Sequence, residues 1–182
     1  YFTTNVLRMF QNRKIYICTL GMALTLYMCG IAFMRSDGDS ANLQDAFSVV
    51  SSSGFIILFY LLCVIGGGLS YCEDCNSGFT RYAVVRGDAK KYIRGHLFSA
   101  ALGGCASMLG GMALYELLMI FTLWPIKGSF YAMFSQNHAY FIQNIWNALL
   151  LSLLGAVLAG LAMTVTACIP NIFVGTAMPI LI

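Results

Sequence analysis

Apolar and polar positions in this chain fall in long blocks rather than at a short period. Residues 15–34 form an uncharged run. About 20 helical residues are enough to cross a hydrocarbon core of roughly 30 Å. Residues 35–53 are polar, with Asp37, Asp39 and Asp45. A second apolar run, 54–70, ends in Gly66, Gly67 and Gly68, which permit a bend or a close backbone approach. A charged stretch, YCEDCNSGFTRYAVVRGDAKKYIRGHL at 71–97, leads into a third run, 97–123, interrupted only by Glu116. Residues 124–144 are polar and aromatic and suit the outer membrane interface. Residues 146–182 would extend about 55 Å as one helix, too far for a single crossing. Pro170-Asn171 is the natural break.

The pattern predicts an all-α, polytopic membrane protein with one transmembrane domain over 1–182. Its expected spans are 15–34, 54–70, 97–123, 146–168 and the start of another at 172–182. Residues 1–14 mix Val6, Leu7, Met9 and Phe10 with Arg8, Arg13 and Lys14, as an interfacial helix does. A plain basic flank is the alternative. Composition agrees: 59% of residues are hydrophobic and 9% charged, against roughly 25% charged in soluble domains. No cleavable leader pattern stands at the start. The chain begins at Tyr1 and ends within an apolar run, which predicts clipping at both ends.

Charge placement gives an orientation. The stretch 71–97 holds five of the ten basic residues, Arg81, Arg86, Lys90, Lys91 and Arg94, and the N-terminal flank holds three. The other two polar segments have one each, Arg35 and Lys127. The positive-inside rule then puts the N-terminus and residues 71–96 in the cytoplasm of a cell-membrane protein.

Candidate chemistry is sparse. No phosphate-binding G-x-x-x-x-G-K-[ST] loop, H-E-x-x-H or G-x-S-x-G occurs. Catalytic residues are therefore not expected, and neither is a metal. Cys72 and Cys75 form a lone CxxC, which reads as two small residues at a helix end rather than a redox pair or half a metal site. The other five cysteines lie in apolar runs, where thiols pack as small hydrophobes. Glu116, the one acid inside a run, is a candidate for a transport pathway or helix pairing; near the run's outer end it can instead reach the interface. Gly103, Ser107 and Gly111 in the third run, and Ser152, Ala156 and Gly160 in the fourth, recur every four residues, the spacing of close helix packing. The basic stretch has a topological explanation, so no nucleic-acid partner is expected.

The central stretch resembles the second type of ATP-driven (ABC) exporter permease found in bacteria. The resemblance rests on Gly66-Gly67-Gly68, the acids Glu73-Asp74, Gly78, the segment from Phe79 to Arg86, the turn Gly87-Asp88-Ala89-Lys90-Lys91, and Tyr92. Leu7 to Tyr16 is similar to that family's interfacial helix, and Asn171 and Pro179 stand where its members turn into the fifth span. Phe79 replaces the family's usual Thr, and Asp88-Ala89 replaces a frequent Ser-Arg. The resemblance implies six spans, of which this chain carries about four and a half. It implies a coupling segment seated on a cytoplasmic ATPase, with Glu73, Asp74, Gly78, Phe79, Tyr82, Ala83, Arg86 and Gly87 as its contact residues. ATP and magnesium would be held by that partner, with none in this chain, and a second permease chain, identical or homologous, would complete the pathway through membrane lipid. The absence of a large outer segment resembles peptide-export and peptide-immunity members most.

A single helix over 76–87 would put Phe79, Tyr82, Ala83 and Arg86 on one face, with Glu73 and Asp74 at its N-terminus, free to meet a basic residue of the ATPase. The competing reading is a non-transport membrane protein that docks a signalling or assembly partner through the same loop. A membrane enzyme fits worst, because no nucleophile, base and orienting group fall on one side.

Overall fold

A computed structural model describes residues 2–37, 56–80, 89–127 and 138–181. These are helical almost throughout, and no strand occurs among them. Helix α1 covers Phe2–Gln11, and α2 covers Arg13–Asp37. Helix α3, Ile56–Cys63, passes into a π-helical turn at Val64–Gly68. A short helix, α4, follows at Ser70–Asn76. Two long helices, α5 at Ala89–Lys127 and α6 at His138–Cys168, form the body, and α7 covers Ile172–Leu181.

Three of these helices are long and apolar enough to cross a membrane: α2, α5 and α6. A fourth crossing results if α3 with its π turn and α4 count as one broken element, bent by 48°. The protein is therefore a helical membrane protein. Many large apolar side chains face outward, among them Ile17, Leu20 and Met28 on α2 and Leu153 and Leu154 on α6. Such exposure is ruinous in water and ordinary in lipid, where tails are as apolar as leucine.

Helix α5 is the central post. Met22 of α2 sits against Gly111, and Met9 of α1 sits against Gly103. At Gly67 backbone meets backbone: a Cβ there would lie 2.6 Å from both the Ala100 carbonyl oxygen and the Gly104 amide nitrogen. Gly68 meets Ala159 and Ala162 of α6 in the same way, and Gly104 meets the Gly155 carbonyl. The three successive glycines and the π turn thus let one backbone wedge between two helices. The π turn shifts the helical register where the chain then bends. A core of Met22, Leu26, Phe59, Cys63, Met108, Met112, Tyr115 and Met119 fills the space between α2, α3 and α5.

Helix boundaries depart from the expected loops. The charged segment expected over 71–96 is helical at both ends: α4 reaches Asn76, and α5 begins at Ala89. Tyr92, His96, Ser99 and Ala100 are buried along one stripe, while Lys91 and Arg94 are exposed. The first turns of α5 are amphipathic, so their charges are compatible with helix. The polar segment 124–144 is likewise shortened, since α5 runs on to Lys127 and α6 starts at His138. The chain breaks at Pro170, where proline cannot donate to a continuing helix. The Asn171 side-chain oxygen then accepts from the Phe173 amide at 2.9 Å and caps α7.

Candidate functional site

The expected contact residues begin on α4, where Asp74 is committed inside the chain. Asp74 is 5% exposed. The Arg8 guanidinium donates to it in a two-pronged pair, at 3.0 Å to Oδ1 and 3.3 Å to Oδ2. The Tyr92 hydroxyl donates to Oδ2 at 3.0 Å. His96 Nε2 lies 3.3 Å from the same oxygen, off the direction of a hydrogen bond. Burial works against the Asp74 charge; the His96 ring, the Arg8 guanidinium and the Tyr92 hydroxyl outweigh it and hold the carboxyl below its usual range.

Three elements distant in sequence therefore meet at one carboxylate: Arg8 from α1, Asp74 from α4, and Tyr92 with His96 from the start of α5. The spacing of Tyr92 and His96, one turn apart, aims both rings at α4. Their ring centroids stand 4.6 Å apart, edge to face, and Tyr71 packs on His96 at 5.6 Å. Beside this cluster, Lys14 at the start of α2 pairs with Glu73 at the surface.

Glu73 and Asp74 thus do not stand as free acids ahead of a docking helix. They lie within α4, and their partners are Lys14 and Arg8 of this chain. Nor is there one helix over 76–87. Asn76 is the last residue of α4, the Gly78 amide donates back to the Cys75 carbonyl at 3.1 Å, and Gly78 adopts φ +73°. That left-handed residue is the usual way to end a helix and suits glycine alone without strain. Helical backbone resumes at Phe79 and Thr80. Phe79 is 46% exposed, and its ring carries the Arg8 guanidinium 5.1 Å from its centroid. Tyr82, Ala83, Arg86 and Gly87 lie outside the described residues.

Glu116 is half-buried on α5, and no hydrogen bond or ion pair joins it to another described residue. Of the small residues, Gly103, Ser107 and Gly111 face α1, the π turn and α2. On α6, Ser152 and Gly160 are buried, and Gly160 meets only Leu97 at an ordinary 3.7 Å. The tight approach on α6 instead uses Gly155 and Ala159, one residue off the expected row. Cys72 and Cys75 are free thiols, and no three acidic, histidine or cysteine side chains converge as a metal site among the described residues.

Comparison with protein-family models, curated proteins and solved structures finds no match to this chain.

Proposed function

We propose that this chain is a membrane-spanning permease subunit of an ATP-driven exporter, with its charged segment as the contact for a separate cytoplasmic ATPase. One observation supports the reading most. The N-terminal helix is bound through Arg8 both to the end of the broken second element, at Asp74, and to the ring of Phe79, where the charged segment departs. A push on that segment would reach α1, α4 and α5 together through one buried carboxylate. Such a junction suits a subunit moved by an external motor.

In this reading the full permease has six spans, and a second copy or a homologue faces it across the pathway. The N-terminus and residues 71–96 are cytoplasmic, and the membrane is the bacterial cell membrane. ATP and magnesium belong to the ATPase. The substrate class is amphipathic, an antimicrobial or cytolytic peptide by resemblance. Phe79, Tyr82, Ala83 and Arg86 are the contact residues for the ATPase. Glu73 and Asp74 tie α4 to Lys14 and Arg8 from within the chain.

The deciding experiment isolates the chain from its native membrane in mild detergent and looks for a co-purifying ATPase with a phosphate-binding loop. Phe79→Ala with Arg86→Ala should weaken that association about thirtyfold, the effect of losing an interface anchor of about 2 kcal/mol. Substrate-stimulated ATP hydrolysis should fall with it while the spans still insert. Unchanged binding and turnover would sink the assignment and favour a non-transport protein that docks another partner.

A further inference from the structure

Beneath α1, where it meets α4 and the start of α5, lies a polar cavity of about 70 Å³. Asn5, Asn12, Ser70, Asp74, His96 and Ser99 contribute to its walls. Four of these residues are more than nine-tenths buried, among them Asn5 at 8% and His96 at 3% exposed. The Asn5 amide nitrogen and both ring nitrogens of His96 have no hydrogen-bond partner. Leaving a buried polar group unpaired costs about 1–3 kcal/mol. Asn5 Nδ2 and His96 Nδ1, with His96 Nε2 met only by the Asp74 carboxylate at 3.3 Å, point to an occupant of the cavity. The space admits several waters, each needing roughly 10–15 Å³.

The walls discriminate among occupants. A phosphate or carboxylate would face Asp74 and Glu73. A cation would face the Arg8 guanidinium and the Asn5 amide nitrogen, which offer hydrogens and no lone pair. An apolar ligand would leave Asn5 Nδ2 and His96 Nδ1 unserved. Water both donates and accepts, so it can serve the donor of Asn5 and the ring nitrogens of His96 whichever of them carries hydrogen. We propose that the cavity holds a small cluster of ordered waters linking Asn5 of α1 to His96 of α5. The interfacial helix is then seated on the bundle partly through water. This holds whatever the chain transports or docks.

The chain has two histidines, so His138→Gln leaves His96 as the sole histidine ring. The test is solid-state nuclear magnetic resonance on that isotopically labelled variant in lipid bilayers. Polarisation from water should reach the His96 ring nitrogens about tenfold faster than the backbone amides of Met108 and Met112 in the apolar core. Asn5→Leu should slow that transfer at least about twofold, by removing one anchor of the cluster. Transfer as slow as to the core amides would mean a dry cavity and overturn the proposal. Transfer from lipid protons in place of water would overturn it too, by placing a lipid group there. Should His138→Gln fail to assemble, the unaltered chain carries the same measurement. His96 is then identified by its contacts with the rings of Tyr71 and Tyr92.

Discussion

Arg8 and Asp74 are unequal partners. The arginine is half in water and the carboxylate is nearly enclosed, so removing one is not equivalent to removing the other. Arg8→Met leaves a buried charge with the Tyr92 hydroxyl as its one remaining hydrogen-bond donor. We expect a loss of about 1–3 kcal/mol, read as a lower midpoint in thermal or detergent unfolding. Adding Asp74→Asn should restore part of that loss, because the stranded charge disappears with it. Equal destabilisation in the single and double variants would contradict the pairing. The depressed Asp74 carboxyl also sets a pH window. Its contribution is complete above the ordinary aspartate value of about 4. It is lost as pH falls through the lower folded value, when the native carboxylate finally takes up a proton. The unfolding midpoint of the parent should drop across that acid range, and the Asp74→Asn variant should lack that part of the drop. None of this was legible in the sequence. Arg8 and Asp74 are 66 positions apart, and an acid in a charged stretch looks the same whether it faces solvent or a buried arginine.

At the scale of elements, the apolar runs alone announced membrane-length helices, because lipid demands long uncharged segments whose backbone is satisfied internally. The break before α7 is written in Pro170 and Asn171. Helix ends were less readable, since Lys90, Lys91 and Arg94 look like loop until the buried face of Tyr92 and His96 is known. Which small residues touch was also hidden, because a row every four residues fits several faces of one helix. Two substitutions separate a true crossing from a coincidental one. Gly67→Ala would drive a methyl group into the backbone of α5, where no side chain can yield. Overpacking of that kind costs about 1–3 kcal/mol or more, and α3 should part from α5. Gly160→Ala meets only the far end of Leu97 and should change stability by less than about 0.5 kcal/mol. Measurement of both by reversible unfolding in detergent tests the packing directly. Equal costs would show that the Gly67 crossing is looser than the distances imply.

For the molecule as a whole, the cluster at Asp74 and the first turn of α5 lie at one end of the bundle, and the proposed function, with the excess of basic residues as its support, puts that end in the cytoplasm. A cysteine in place of Lys90, exposed on α5, should react with an impermeant thiol reagent only after the membrane is opened. The parent chain, with its seven thiols, supplies the background to subtract. Labelling from outside intact cells would invert the orientation and with it the docking proposal.

The backbone-to-backbone meeting of Gly67 with Gly103 and Gly104 has a mechanical meaning. Where side chains interlock, one helix cannot tilt on another without changing rotamers. Where two bare backbones touch, nothing interlocks, and the contact can serve as a pivot. From Gly104 to Thr122, α5 extends about 27 Å. Rocking it by about 10° over that glycine contact would carry the far end roughly 5 Å, with the length of the arm set by helical rise. A small displacement near the Asp74 carboxylate would thus emerge enlarged at the opposite face of the membrane.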